Sequence, residues 1–267
     1  MPKIVFLGAG RMASAMVSRL IRKGIAAPSD LVCIGGSGVT AAALSSRRGI
    51  GLARSLSDLP ADADLLVVAF KPQQLASADP GLAGYSAGKL VISVLAGRTI
   101  ERLSKVFPSA RNIVRCMPNT PARIGAGITG WCARHELAGA DKAAVESLLG
   151  AMGQSVEIPE GRMDALTGVS GSGPAYVFEF AAALRDGGVA AGLDLATAEK
   201  LANETILGAA CLLARAKTSP EALRDEVVSP KGTTFAALQK LSAGGFRDLI
   251  REAVLAAKAR AEELSSE

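Results

Sequence analysis

Along residues 1–160 the apolar positions follow two patterns in turn. Short unbroken apolar runs suit strands buried on both faces; longer stretches with apolar residues every three to four positions suit helices. Ile4–Leu7 is the first such run, and Met12, Ala15, Met16, Leu20 and Ile21 then share one helical face until Gly24 ends it. The alternation continues through "DLVCIG" (strand), "VTAAALSSRRG" (helix), "ADLLVVAFKPQ" (strand), "KLVISVLAG" (strand), "RNIVRCMPN" and "GAGITGWCA". A helix over Glu136–Met152 and a last strand, "SVEIP", close this half. Such alternation predicts an α/β fold with a doubly wound, mostly parallel, Rossmann-like sheet. From Met163 onward the strand signal stops, and "GPAYVFEFAAALRDGGVAAGL" and "LATAEKLANETILGAACLLARAK" read as helices, with Asp194 placed to cap the second. The first of these is apolar almost all round, so it needs cover on more than one side, and burial against a second subunit is the expected source. The division falls at 160/161, with an α/β domain over 1–160 and a helical domain over 161–267.

The turn after the first strand carries a pattern with a mechanism. Gly8, Gly10 and Ala13 form GxGxxA between a strand and a helix. The first glycine permits the tight turn, the second lets the backbone approach a pyrophosphate, and the small third residue lets helix and strand pack closely. Phosphates then meet the free amides of the helix start, so Leu7, Gly8, Ala9, Gly10, Arg11, Met12 and Ala13 are candidate cofactor contacts. Ligands of such sheets bind at the C-terminal strand ends. That rule adds Gly36-Ser37, Ala69, Phe70, Lys71, Pro72, Ala96, Gly97 and the Met117–Thr120 stretch with Asn119. An acid after the second strand would select NAD, and a nearby arginine NADP. "IGGSGVT" has neither, and Arg47 and Arg48 lie about ten residues into the next helix, on the order of 15 Å away. A 2′-phosphate would therefore rely on Ser37, Thr40 and free amides, and NADPH should be preferred over NADH by less than about tenfold.

Composition removes several other classes. The chain has 267 residues, a net charge of +5 without a basic stripe, and 4% aromatics, which argues against a nucleic-acid binder. Four cysteines (Cys33, Cys116, Cys132, Cys211) form no CxxC pair, and with one histidine a Cys/His zinc site is not expected. No apolar run is long enough for a membrane span, the N-terminus does not read as a signal peptide, and reduced thiols fit a cytoplasmic protein. His135 falls at a turn before a helix, where a surface or capping role is expected, and Trp131 reads as packing. Glu179 interrupts the apolar helix, facing a partner or solvent.

Near the C-terminus, "SPKGTTFAAL" (Ser229–Leu238) precedes a helix and holds hydroxyls, a glycine and a lysine. Residue types alone favour an ordinary Ser-Pro helix start with threonine caps.

Taken together, "GAGRMASA", "AFKPQ", "MPNTP", "SGSGPAYVF", "LRDEVVSPKGTT" and "SAGGFRDLI", in this order and spacing, resemble the pyrroline-5-carboxylate reductase family over essentially the whole length. The resemblance implies reduction of a cyclic imine carboxylate to L-proline with NADPH, or NADH as a second cofactor. It also implies a homodimer through the C-terminal helices and, commonly, a decamer built from such dimers. It makes Ser229, Lys231, Gly232, Thr233 and Thr234 the substrate loop: backbone amides hold the carboxylate, and Thr234, the catalytic residue, hydrogen-bonds the ring nitrogen. Such chemistry needs no nucleophile or metal, because the iminium carbon is already electrophilic and catalysis is placement of a hydride donor. Two departures stand out. The family usually has glycine at the position of Lys231, so lysine there costs on the order of 1 kcal/mol if φ is positive. Asn-Arg often stands where this chain has Gly36-Ser37.

Two other functions compete. A β-hydroxyacid dehydrogenase shares the two-domain plan but resembles its relatives in a catalytic lysine on the C-terminal-domain helix, and Pro174–Leu193 contains none. A non-catalytic dinucleotide-binding regulator is favoured only by Lys231. Loss of NADPH on addition of pyrroline-5-carboxylate separates the three.

Overall fold

The computed structural model describes residues 3–36, 39–137 and 139–266. By contacts the chain forms two compact units, Met1–Ser172 with Ala256–Glu267, and Gly173–Leu255.

The first unit is built on β1 (Lys3–Leu7), α1 (Arg11–Arg22), β2 (Leu31–Ile34), α2 (Thr40–Arg48), β3 (Gly51–Ala53), β4 (Ala63–Val68), α3 (Gly81–Tyr85), β5 (Leu90–Ser93), α4 (Ile100–Val106), β6 (Asn112–Pro118), β7 (Gly127–Ala133), α5 (Gly139–Gly150), β8 (Gly153–Glu157) and the short α6 (Met163–Leu166). The strands form one sheet in the order β3-β2-β1-β4-β5-β6-β7-β8, parallel throughout except for the β6–β7 pair. The chain reverses its direction of travel across the sheet between β1 and β4, which opens a crevice at their C-terminal ends. The predicted strands are all present. β3 is an addition: "GLA" is three residues long and carries two exposed positions, too short and too polar to read as a buried strand.

The apolar runs arise from cover on both faces. Ile4 and Phe6 join Met16, Leu20, Leu65 and Val67 in one core, while Val5 and Leu7 join Leu66, Val68, Leu103 and Phe107 in the other. An ion-pair cluster closes one end of this unit. The buried Arg115 guanidinium meets Glu160 at 3.0 Å and Asp164 at 3.7 Å, and Glu160 also accepts from the Ile100 amide at 2.7 Å. After α6 the backbone widens into a π-helical turn, Thr167–Gly171, a rare form often found at functional sites.

The second unit is helical: α7 (Gly173–Ala190), α8 (Leu195–Arg215), α9 (Pro220–Glu226), α10 (Thr233–Ala243) and the start of α11 (Phe246–Ser266). Asp194 caps α8 as expected, accepting from the Thr197 amide at 3.0 Å. Those hydrogen bonds hold its carboxyl below the usual carboxylate range. No residue of α7 is buried within the chain: Phe178 is 67% exposed, and Val177, Phe180 and Leu184 are exposed with it. Leu201, Leu207 and Leu212 of α8 are exposed too.

Candidate active site

The GxGxxA turn links β1 to α1, and its two glycines are small for different reasons. Gly8 has φ +107°, and a Cβ there would lie 2.6 Å from the Ala69 carbonyl carbon and 2.5 Å from the Phe70 amide nitrogen. The chain itself forbids any other residue. At Gly10, by contrast, a Cβ would meet only the Ala69 oxygen at 4.0 Å. The absence of a side chain there leaves a free approach to the start of α1. Gly10 is the N-cap, no side chain caps the helix, and the first amide to turn inward is that of Ser14, onto the Gly10 carbonyl at 2.9 Å. The amides of Arg11, Met12 and Ala13 are left for a ligand. Ala13 is fully buried, as close helix–sheet packing requires. This cradle fits a dinucleotide pyrophosphate.

The parallel strands bring the other expected positions of this unit to the same sheet edge. Ala69 donates to Leu7 and Gly8 to Ile34, both at 2.8 Å, which locks the ends of β1, β2 and β4 together. Phe70 and Pro72 are half-buried and Lys71 is exposed. Past β5, Ala96 is exposed and Gly97 has φ +69°. Asn119, after β6, is buried and its side-chain oxygen accepts from the Ile128 amide at 3.0 Å, so the carboxamide already carries a structural duty. Ser37 lies outside the described residues.

Two clefts adjoin the turn. One, of about 510 Å³, is lined by Leu7, Gly8, Gly35, Gly36, Arg54 and Phe70 among others. The other, of about 810 Å³, runs between α1 and α2 and is lined by Gly10, Arg11, Arg47, Arg48 and Arg123 among others. Arg47 and Arg48 thus share a groove with the turn, although they stand in the last turn of α2. Arg54 was hidden in the sequence because its position depends on β3. A run of four small or apolar residues between Gly49 and Arg54 was the only signal for that strand.

In the second unit the loop Ser229–Gly232 leads into α10. Gly232 is the N-cap, with its amide donating to the Ser229 carbonyl at 3.0 Å, and no side chain caps the helix. The Thr233, Thr234 and Phe235 amides therefore have no helical acceptor, since the ladder begins with Ala236 donating to Gly232 at 3.1 Å. Thr234 is half-buried and Ser229, Lys231 and Thr233 are exposed. Threonine caps are thus not used, contrary to what residue types alone favoured. Lys231 has φ +60°, the one non-glycine residue with positive φ among those described. α7 carries no lysine. His135 is exposed at a turn, Glu179 is exposed and Trp131 is buried. Among the described residues no cluster of His, Cys, Asp and Glu could hold a metal.

Comparison with known proteins decides between the remaining readings. Residues 160–264 match the family model described as pyrroline-5-carboxylate reductase dimerisation. A pyrroline-5-carboxylate reductase of Synechocystis sp. is 42% identical over 258 residues, 97% of this chain and 96% of that protein. The chain belongs to the pyrroline-5-carboxylate reductase family. Residues 3–97 also match a model described as NADP oxidoreductase coenzyme F420-dependent. The structure of the Coxiella burnetii pyrroline-5-carboxylate reductase superposes with a TM-score of 0.91 at 34% identity, over 99% of this chain and 98% of that one. A Plasmodium falciparum pyrroline carboxylate reductase with NADP bound gives 0.87 at 30% identity, over 99% and 98%. Membership makes the protein an NAD(P)H-dependent oxidoreductase with a small-molecule substrate, and residues 160–264 an oligomerisation region. No helix among the described residues is long and apolar enough to cross a membrane.

Proposed function

We propose that the protein reduces 1-pyrroline-5-carboxylate to L-proline with a hydride from NADPH, the last step of proline biosynthesis, and that NADH serves as a poorer donor. The observation that carries the assignment of roles is the start of α10. It is an uncapped helix N-terminus preceded by an exposed lysine and followed by a hydroxyl two residues in. A carboxylate is stabilised by such amides and by the helix dipole.

Residues 1–160 then form the dinucleotide-binding domain and residues 161–267 the dimerisation and substrate-binding domain. The amides of Arg11, Met12 and Ala13 take the pyrophosphate, and Phe70–Pro72, Ala96-Gly97 and Asn119 line the crevice beyond it. The amides of Thr233 and Thr234 hold the substrate carboxylate, with Ser229, Lys231 and Gly232 beside them. The Thr234 hydroxyl accepts from the N–H of the protonated imine and so fixes which carbon faces the hydride donor. The cofactor supplies a hydride to that carbon, and the electron pair of the C=N bond returns to nitrogen. The substrate arrives protonated, so no protein acid is required, in keeping with the absence of His, Asp and Glu from Ser229–Leu238. Two protomers meet through α7 and α8, whose exposed apolar side chains are otherwise without cover; further assembly to a decamer is in keeping with this. Cys33, Cys116 and Cys132 are buried free thiols and Cys211 is an exposed one, which suits the reducing cytoplasm.

Steady-state loss of NADPH absorbance with pyrroline-5-carboxylate, coupled to appearance of L-proline, tests the reading. Turnover with a β-hydroxyacid in its place, or with neither, would overturn it.

A further inference from the structure

An NADP-selective site needs a cation for the adenosine 2′-phosphate, and the segment after β2 offers none: Gly35, Gly36, Ser37 and Gly38 follow Ile34. The sheet supplies one from the neighbouring strand. Ile34 pairs with Ala53 in the parallel β2–β3 ladder, so Gly35 and Arg54 leave the sheet side by side, on the edge where β1 ends at Leu7. The approximately 510 Å³ cleft there is lined by Gly8, Gly35, Gly36, Arg54 and Ser55. A Cβ built on Gly36 meets no described residue within 4 Å.

Charge within the cleft is sparse. Among the described residues that line it, Arg54 is the one cation, and Asp79, the one acid, accepts from the Gly81 amide at 2.8 Å. The backbone of Arg54 is fixed, since the Arg54 and Ser55 amides both donate to Asp58 at 2.9 Å; its guanidinium is attracted to the Asp58 carboxylate but makes no salt bridge to a described residue. An exposed guanidinium on a pinned loop suits bidentate capture of a phosphate. Arg47 and Arg48 line the other cleft, between α1 and α2, which shares neither Gly8 nor Gly35 nor Gly36.

We propose that Arg54 is the specificity residue for the 2′-phosphate of NADP(H), standing in for the cation that the segment directly after β2 lacks. The assignment rests on the cofactor reading above.

Calorimetric titration of the native oligomer with NADP⁺ and with NAD⁺, beside Arg54→Gln, Arg54→Lys and an Arg47→Gln/Arg48→Gln variant, tests it without turnover. Arg54→Gln should weaken NADP⁺ binding roughly tenfold or more, as expected for loss of a charged hydrogen bond, and leave NAD⁺ unchanged. Arg54→Lys should recover part of the loss, and the Arg47/Arg48 variant should bind both as the native protein does. Equal weakening of both dinucleotides would make Arg54 an adenine or loop residue and overturn the proposal. So would selective loss in the Arg47/Arg48 variant, or no change in Arg54→Gln. If the native protein binds neither dinucleotide, the cofactor reading itself falls and this assignment with it.

Discussion

The amide of Gly232 donates to the carbonyl of Ser229 at 3.0 Å, and this closes the loop that begins α10. Any Cβ on Gly232 would collide with the Ser229 hydroxyl. A side chain at the turn's last position would require that hydroxyl to rotate away, and the third residue of the turn, Lys231, stands at φ +60°. A left-handed backbone costs an L-residue roughly 1–2 kcal/mol.

Lys231→Gly should therefore raise stability. The relief is partly offset by glycine's greater freedom in the unfolded chain, so a gain of about 0.5–1 kcal/mol is expected, read as a higher urea midpoint. The Michaelis constant for the imine should rise as well, because an ammonium beside the carboxylate site is lost. A lower midpoint would show that the strain is compensated by contacts of the lysine.

The two glycines of the first turn should respond differently. Gly10→Val has room within the chain, so the fold and oligomer should persist while NADPH binding, followed by fluorescence titration, collapses. Gly8→Val meets the Ala69–Phe70 backbone and should unfold the first unit, seen as lost circular-dichroism signal. NADPH affinity unchanged in Gly10→Val would remove the turn from the cofactor site.

Thr234→Val keeps the side-chain shape and removes the hydroxyl. A hydrogen bond with a charged partner is worth roughly 1.5–3 kcal/mol, so kcat/KM for the imine should fall about 10- to 150-fold with NADPH binding little changed. Thr233→Val should cost less, because that position acts through an amide that valine retains. Full activity in Thr234→Val would leave the loop as backbone donors only.

Phe178 is two-thirds exposed on α7, a helix with no buried residue of its own. A charge there would be buried in a dimer interface, so Phe178→Glu should give a monomer by light scattering, where the native protein gives a dimer or a multiple of it. An unchanged mass would place the interface elsewhere.

Much of this was legible in the sequence because it rests on local rules. Ile4–Leu7 reads as a doubly covered strand, and Gly8, Gly10 and Ala13 fall where a strand gives way to a helix. Asp194 reads as a cap because its partner amide is three residues on. The resemblance to the family likewise located Ser229–Thr234 and flagged Lys231 as standing at a glycine position. What was not legible depends on neighbours distant in sequence or on backbone width. β3 is three residues long and exists through its pairing with β2, so Arg54 could not be placed beside Gly35. The groove that gathers Arg47, Arg48 and Arg123 with Gly10 depends on how α1 and α2 pack. The π turn at Thr167–Gly171 leaves no periodicity signal, since one widened turn shifts the pattern by a single residue.

The central claim is that this chain moves a hydride from a nicotinamide directly to the carbon of a cyclic imine. Mass spectrometry of L-proline formed from pyrroline-5-carboxylate with NADPH deuterated at the transferring position of the nicotinamide C4 tests it most directly. The account predicts one deuterium per proline, at C5, the former imine carbon. Unlabelled proline, or label at any other carbon, would contradict it.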